Sequence, residues 1–279
     1  MAVKASKLQV GFAFMFDDQS DPNVHLYHYT TRASALGNIL PLSQLRLSPL
    51  SWTNDPREFQ PWLFDFIGQP PIGEGSSLSD DLQVIDDRIR ITTKVACLTR
   101  NDPELRAYDW EDHARGWAHS RMWDQYAEGH RGVCLVFDHE MLAEKMQAAL
   151  TDGVLWDNPV HYQNNVLIGA HLAHEISYPD IERLGVDELA ELHVEKYWQY
   201  LFFLKARDWE SEWEYRWVYR DGQPGPAFID TDNALKGVMI GSRFPESDLP
   251  LLQHFGDNLG LALARCSWRN GYPGAERLG

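Results

Sequence analysis

A strict alternation in the segment Trp209–Tyr219, WESEWEYRWVY, constrains the fold of the 279-residue chain more than any other feature. Its odd positions are aromatic apart from Ser211. Its even positions up to residue 216 are all charged: Glu210, Glu212, Glu214 and Arg216. Because successive side chains of a β-strand point to opposite faces, this period of two predicts a strand with one packed face and one face that is wet or functional.

The three glutamates of that segment have two interpretations. On a strand, alternate side chains share a face about 7 Å apart, so three carboxylates repel each other unless a cation or a ligand compensates them. They are therefore either a solvated edge strand or cleft carboxylates that precede Arg216 on the same face. The pattern leaves both interpretations open.

The rest of the chain alternates between predicted strands and helices, with no internal repeat and no persuasive linker. We therefore predict one α+β domain over residues 1–279, with an N-terminal arm at 1–22 and surface loops at 68–80 and 100–118. The predicted strands or extended segments are Val24–Tyr29, Leu45–Leu47, Thr93–Thr99, Gly132–Phe137, Gly153–Tyr162, Gly237–Gly241 and Leu261–Trp268. The predicted helices are Thr31–Ile39, Pro56–Ile67, Leu82–Ile91, Arg121–Glu128, Glu140–Leu150, Glu246–Leu259 and two between residues 166 and 204.

The motif Asn54-Asp55-Pro56-Arg57-Glu58 is typical of a helix start. An Asp cap, a Pro at the first helical position and a Glu three residues after the Asp together form a capping box. This role accounts for the whole motif. A metal-dependent nuclease that uses Asp55, Glu58 and the glutamate row is an alternative, and a fold that separates these carboxylates would exclude it.

Composition limits the function classes. The 25 Lys and Arg residues against 41 Asp and Glu residues give a net charge of −16, whereas binding to a nucleic-acid backbone needs a basic face. A protein or small-molecule partner is therefore favoured over duplex nucleic acid, although a local basic pocket stays compatible with the charge. No apolar run reaches the roughly 18 residues that a membrane helix needs, so we expect a cytoplasmic protein without a membrane partner.

Metal and cofactor motifs are few. The three cysteines Cys97, Cys134 and Cys266 have no CxxC spacing, which disfavours a disulfide framework and a cysteine-rich zinc site. The pair His171 and His174 lacks a third ligand at a recognisable spacing, so no metal is predicted. The sequence contains no Walker A, GxGxxG, GxSxG or HExxH motif.

Two aromatic clusters have plain packing interpretations. His28 lies between two tyrosines at the end of a predicted strand, where a lone histidine is more often a satisfied buried side chain than a catalyst. Trp123, Tyr126 and His130 have helical spacing just before a buried strand, which is more typical of a core than of a site.

Taken in order, several motifs resemble those of an uncharacterised bacterial family of unknown function. They run from about residue 25 to residue 220 and comprise Leu26–Thr31, Ile39-Leu40, Leu47-Ser48, Asn54–Glu58, Met122-Trp123, Tyr126-Ala127, His130–Cys134, Phe137, Lys205, Trp209 and Glu212–Arg216.

The order of three elements is also similar to that of ADP-ribosyltransferases with a His-Tyr-Glu triad. An aromatic-His-x-Thr strand contains His28, a short helix before a Gly-led apolar strand contains Tyr126, and a Glu-Tyr-Arg-Trp-Val-Tyr strand begins at Glu214. Glu212 shares a face with Glu214 on the predicted strand and is the alternative catalytic residue. The sequence departs from the family pattern at Tyr29, where Gly is usual. The resemblance implies a split, mixed or antiparallel β-sheet core with flanking helices.

The resemblance also implies roles for individual residues. Glu214 would stabilise the cationic, oxocarbenium-like ribose that forms when the nicotinamide–ribose bond of NAD breaks. Tyr126 would stack on the nicotinamide ring, and His28 would hydrogen-bond the ribose on the adenosine side. Arg57 or Arg216 would bind the pyrophosphate, since bidentate Arg contacts are local. The remaining expected NAD contacts are Tyr29, Thr30 and Trp123, with Thr99 as an alternative to Thr30.

The expected function is that of an NAD-dependent ADP-ribosyltransferase or an NAD glycohydrolase, with NAD as substrate and an unidentified acceptor. Bacterial relatives imply a toxin or a phage-defence effector. A non-catalytic ligand-binding or regulatory module on the same fold is the alternative, and it would tolerate Glu214→Gln without loss of ligand binding.

Overall fold

The alternation of short strands and helices along the chain folds into one large sheet flanked by helices. The structure, a computed structural model, describes residues 23–68, 75–102, 104, 112–166 and 170–278. The predicted arm at 1–22 and parts of the predicted loops lie outside the described residues.

The strands of the described chain are numbered in order and have the following bounds: β1 (His25–Thr30), β2 (Gln44–Pro49), β3 (Asp65–Ile67), β4 (Thr93–Thr99), β5 (Val133–Asp138), β6 (Val154–Pro159), β7 (His161–Gln163), β8 (Glu175–Ser177), β9 (Leu204–Ala206), β10 (Glu214–Arg220), β11 (Ala227–Asp230), β12 (Leu235–Ile240), β13 (Ala262–Arg269) and β14 (Tyr272–Arg277).

The α-helices of the described chain are α1 (Arg32–Ser34), α2 (Leu40–Leu42), α3 (Pro56–Phe59), α4 (Gly75–Thr92), α5 (Ser120–Gln125), α6 (His139–Ala149), α7 (Tyr178–Leu184), α8 (Val186–Phe202) and α9 (Leu249–Leu259). A π-helical turn at Ala35–Ile39 joins α1 to α2. The five 3₁₀ helices of the described chain are Leu50–Trp52, Asp112–Ala114, His171–His174, Arg207–Glu212 and Glu246–Asp248.

Ten of the described strands form one mixed sheet, which confirms the mixed sheet with flanking helices that the sequence predicts. Eight of its strands follow the order β11-β2-β4-β1-β5-β12-β13-β14. The other two form a branch, in which β10 pairs with β4 and β6 pairs with β10. The pairs are antiparallel except for the parallel pair β12–β13. Two small parallel pairs, β3–β8 and β7–β9, lie apart from it.

On the side opposite β10, β4 pairs with two different strands, β1 and β2, which diverge from each other. At one end β4 pairs with β1 through Tyr27 and Thr99, and at the other end it pairs with β2 through Ser48 and Val95. Between these points the ring of His28 bridges the gap, since its Nδ1 donates to a carbonyl of β4 at 3.2 Å. This divergence leaves room for a cavity in the middle of the sheet.

Both faces of the central strand β5 are buried, which explains its unbroken apolar sequence. Leu135 and Phe137 pack with Leu26 in one core cluster, under α6 and α9. Cys134 and Val136 pack on the opposite face with the aromatic side chains of Tyr27, Tyr29, Trp117 and Trp123. A third cluster lies between β4, β10 and the helices α4 and α8.

Most predicted strands are confirmed, with β4 matching its predicted bounds, whereas three predicted segments are wrong in part. The helix that begins at Pro56 ends at Phe59 instead of continuing to residue 67, because Pro61 disfavours a helical conformation at Gln60. Residues 65–67 form β3 instead. The predicted loop at 68–80 is also partly wrong, because α4 begins at Gly75.

The prediction that Trp209–Tyr219 is a single strand is wrong in its first half. Residues Arg207–Glu212 form a 3₁₀ helix, Trp213 has a left-handed φ of 44°, and the strand begins only at Glu214. The three glutamates therefore do not share one face. The second half is a strand, but its charged side chains are buried rather than wet, since Glu214, Arg216 and Arg220 are at most 4% exposed.

The remaining global expectations concern the membrane and the cysteines. Among the helices that the structure describes, none combines the length and the apolar character that a membrane crossing requires. Cys97, Cys134 and Cys266 are all free thiols.

We expect Gly132→Ala to destabilise the fold by about 1–3 kcal/mol, because a Cβ at this position would lie 2.4 Å from the Thr30 carbonyl oxygen and 2.8 Å from the Ala127 Cα. Urea unfolding followed by circular dichroism measures this change. Gly37→Ala is the matched control, since nothing lies within 4 Å of its Cβ, and it should be neutral or slightly stabilising. Equal stability of the two variants would contradict the packing of β5 against β1.

Candidate functional site

A cavity of about 320 Å³ opens where β1 and β4 diverge. Six of the residues that the sequence predicts for a site line it, and they come from three separate parts of the chain: His28, Tyr29, Thr30, Tyr126, Glu212 and Glu214. The other lining residues include Asp55 and Glu58, which the nuclease alternative contains, and Arg46, Trp52, Cys97 and Lys205, for which the sequence predicts no site role.

The ammonium group of Lys205 joins the two glutamates. Its Nζ lies 3.1 Å from Glu212 Oε2 and 2.7 Å from Glu214 Oε2, and all three side chains are at most 7% exposed. The left-handed residue Trp213 turns the chain between the two glutamates, so both carboxylates reach one cation. This shared ion pair explains why the alternating segment departs from a regular strand here.

Tyr126 closes the other side of the carboxylate pair. It follows the last residue of α5, and its hydroxyl donates to Glu212 Oε1 at 2.7 Å. The hydrogen bond fixes the orientation of the phenol ring at the cavity wall. The backbone N–H of Glu214 donates to the hydroxyl of Tyr162 at 2.9 Å, which fixes the start of β10.

A buried guanidinium lies behind the cavity. Arg216 is 1% exposed, and its Nε donates to Glu214 Oε1 at 2.7 Å while one Nη donates to Glu58 Oε1 at 2.6 Å. The same Nη donates to the carbonyl of Phe202 at 2.7 Å. Arg216 therefore ties α3 and the end of α8 to the first residues of β10.

The environment moves the pKa values of the two glutamates in opposite directions. Burial raises the pKa of Glu212 above its ordinary value, although Lys205 opposes this effect. Burial also acts to raise the pKa of Glu214, but Arg216 and Lys205 outweigh it and lower that pKa to about 2. Two carboxylates whose pKa values are driven apart can perform different tasks in one site.

The basic and neutral groups of the site have defined protonation states. The carboxylates around Lys205 raise the pKa of its ammonium well above the ordinary value and outweigh the opposing effect of burial. Burial lowers the pKa of His28, so its ring is neutral at pH 7. Because Nδ1 donates to the carbonyl of Cys97, the other nitrogen of the neutral ring is a hydrogen-bond acceptor.

Three predicted NAD-binding residues do not line the cavity. Arg57 donates to the carbonyls of Tyr200 and Leu204 at 2.6 Å each and satisfies the C-terminal end of α8. Trp123 is fully buried in the core, with its indole N–H bonded to the carbonyl of Trp117. Arg216 is occupied by Glu58 and Glu214. The proposed pyrophosphate contacts from Arg57 and Arg216 are therefore corrected, because protein carboxylates and carbonyls already engage both guanidinium groups.

Tyr29 lines the cavity, but its side chain is also part of a core cluster. Its hydroxyl donates to the carbonyl of Gly116 at 2.8 Å, and its ring packs edge-on against Trp123 with centroids 5.2 Å apart. The ring is 6% exposed. Thr30 follows it at the end of β1 and also lines the cavity.

Sequence reasoning missed the residues that hold the Glu212 segment in place. The ring of Trp209 lies 5.2 Å from Lys205 Nζ and 5.6 Å from Arg121 Cζ, so two cations face one indole. Arg121 also donates to the carbonyl of Asp208 at 2.7 Å. Lys205 and Trp209 belong to the motifs of the resemblance, and Trp209 begins the alternating segment, but neither pattern indicates that one indole faces two cations.

The structure does not supply a metal centre from its described side chains. No group of three or more His, Cys, Asp and Glu residues within the described ranges could hold a metal ion. Glu58 and Glu214 do lie together, so distance does not exclude the nuclease alternative, but Arg216 lies between their carboxylates. His174 instead bonds to the carbonyl of Ala170 and packs against Trp62.

Residues 122–217 match the model of a family described as "Protein of unknown function (DUF2971)". The match contains Tyr126, Lys205, Glu212 and Glu214, whereas His28 lies outside it. In this region the chain is similar to an uncharacterised domain, as the motifs predict. No curated protein and no solved structure matches the chain.

We expect Arg216→Met to destabilise the protein by about 3–5 kcal/mol, because it leaves the carboxylates of Glu58 and Glu214 buried without their cation. Urea unfolding at pH 7 measures the loss, and adding Glu58→Gln to this variant should recover part of it. Arg265→Gln is the control, since it removes a surface pair of similar length and should cost less than about 1 kcal/mol. A loss as small as that of the control would contradict the buried network.

The lowered pKa of Glu214 predicts a specific dependence of stability on pH. A carboxyl group whose folded pKa is about 2 stabilises the fold above its unfolded pKa of 4.5, and this contribution disappears as the pH falls toward 2. The unfolding free energies of wild type and Glu214→Gln should therefore differ by on the order of 3 kcal/mol at pH 7 and converge between pH 4.5 and pH 2. Urea unfolding across this range tests it, with the exposed Glu210→Gln as control. A gap that stays constant with pH would refute the shift.

Proposed function

We propose that the cavity binds NAD and catalyses cleavage of the nicotinamide–ribose bond, with transfer of ADP-ribose to an acceptor or to water. The observation that carries the proposal is the meeting of His28, Tyr126 and the Glu212–Glu214 pair in one cavity. These residues are far apart in the sequence, and they are the ones that the resemblance to His-Tyr-Glu ADP-ribosyltransferases selects. The divergence of β1 from β4, where the cavity opens, supports the proposal further.

The reaction needs a fixed negative charge beside a developing positive one. The electron pair of the nicotinamide–ribose bond leaves with neutral nicotinamide, and the ribose carbon becomes cationic. An acceptor hydroxyl, amine or water then forms the new bond and loses a proton. Glu214 is the stabilising anion in this proposal, because its low pKa keeps it ionised and two cations hold it in place before the charge develops.

Tyr126 and His28 bind the two ends of the substrate in this arrangement. The phenol ring of Tyr126 is held by Glu212 and presents a face on which nicotinamide can stack. The neutral ring of His28 has one nitrogen free to accept a hydrogen bond from a ribose hydroxyl, since the other donates to Cys97. Glu212 is a positioning residue for Tyr126 in this proposal.

We expect purified protein to release nicotinamide from NAD, and we expect Glu214→Gln to lower the rate about a hundredfold or more. Chromatographic detection of nicotinamide measures the rate, with candidate acceptor proteins and small molecules supplied in separate reactions. Glu210→Gln is the matched control, because this neighbouring glutamate is exposed and should leave the rate unchanged.

Two further measurements make the result interpretable. Circular dichroism must show that Glu214→Gln is folded under the assay conditions, because the same carboxylate stabilises the fold. Titration calorimetry tests NAD binding directly. An absence of nicotinamide release together with an absence of NAD binding would reject the proposal and favour a non-catalytic module.

A further inference from the structure

A second cavity of about 380 Å³ adjoins the first, and the two share His28, Thr30, Arg46 and Ser48 in their walls. The second cavity lies between β1, β2 and the helical segment that begins at α1. Its hydrogen-bonding wall residues are uncharged except for Arg46: His28, Thr30, Ser34, Asn38, Gln44 and Ser48.

The two cavities differ sharply in charge. The first is lined by four carboxylate side chains, those of Asp55, Glu58, Glu212 and Glu214, against the single ammonium of Lys205 beside them. None of the described residues that line the second is acidic, although the protein as a whole has a net charge of −16. A ligand that spans both cavities therefore has one end among carboxylates and the other end among uncharged hydrogen-bonding groups.

Arg46 lies where the two cavities meet. It is on the exposed face of β2, directly across from Phe228 in the pairing of β2 with β11. Its guanidinium lies 5.8 Å from the ring centroid of Trp52, and within the described residues no carboxylate forms an ion pair with it. Its donors are therefore available to a ligand anion, in contrast to those of Arg57 and Arg216.

We propose that Arg46 binds the diphosphate of a ligand that spans both cavities, with its cationic end in the acidic cavity and its uncharged end beside Phe228. The inference rests on the proposed function in taking NAD as this ligand. The pyridinium ring of NAD is cationic and its diphosphate is anionic. The ring therefore suits the carboxylates of the first cavity, and the diphosphate suits Arg46 at the boundary between the cavities. Arg46 is thus a specificity-determining residue that selects phosphate-bearing ligands.

Titration calorimetry with ADP and with adenosine tests the role of Arg46 without any turnover. We expect wild type to bind ADP more tightly than adenosine, and we expect Arg46→Gln to weaken ADP binding about tenfold or more while leaving adenosine binding unchanged. Added salt should weaken ADP binding to wild type more than to the variant. Arg183→Gln, at a surface arginine on α7, is the control and should bind both ligands as wild type does.

Arg46→Lys and Phe228→Ala sharpen the test. The lysine keeps the charge and should retain part of the ADP affinity, whereas Phe228→Ala should weaken ADP and adenosine alike. The inference is overturned if wild type does not bind ADP, if it binds ADP and adenosine equally, or if Arg46→Gln binds ADP as wild type does.

Nicotinamide release by the same variants separates this inference from the proposed function. Glu214-dependent release with an unchanged KM for NAD in Arg46→Gln would overturn the role of Arg46 and leave the reaction intact. Arg46-dependent ADP binding without any release from NAD would support the role of Arg46 and reject the reaction.

Discussion

The arrangement of the site depends on the buried guanidinium of Arg216. A charge removed from water costs several kcal/mol unless partners compensate it, so Arg216 can be 1% exposed only if Glu58, Glu214 and the carbonyl of Phe202 reach it together. These partners come from α3, β10 and the end of α8. The ion pairs of Arg216 therefore fix where β10 begins. They thereby also fix the position at which Lys205 contacts the two glutamates.

The same network links stability to the chemistry of the cavity. Lys205 and Arg216 keep Glu214 ionised, whereas burial raises the pKa of Glu212, which accepts the hydrogen bond from Tyr126. Each group is held by a partner that the fold already requires, so the proposed reaction would need little reorganisation of these groups when its charge develops. A substitution at Glu214 consequently tests folding and chemistry at once, whereas Arg46, on the exposed face of β2, can be changed without disturbing buried ion pairs.

Local sequence predicted the elements whose burial is uniform. The strand β5 follows from an unbroken apolar run, and β4 follows from the apolar residues Val95–Leu98. The helix α1, which has no buried residue, begins where Thr31 caps it, with its hydroxyl accepting from the N–H of Ser34. The order of His28, Tyr126 and Glu214 could also be read from motifs. The contacts of Lys205 and Arg46 could not, because Lys205 meets the two glutamates, and Arg46 lies between two cavities, only when distant segments of the chain come together.

The alternating segment shows what periodicity alone leaves undecided. A period of two between aromatic and charged residues predicts a packed face and a face that is wet or functional, and in β10 the charged side chains are buried because each has an ion-pair partner. The same alternating sequence is therefore compatible with a charged face in solvent and with a charged face that is buried and paired. The first half of the segment is not a strand. There the left-handed residue Trp213 turns the chain, and Glu212 and Glu214 both form ion pairs with the ammonium group of Lys205. The departure from the local pattern therefore occurs where the acidic end of the cavity is built.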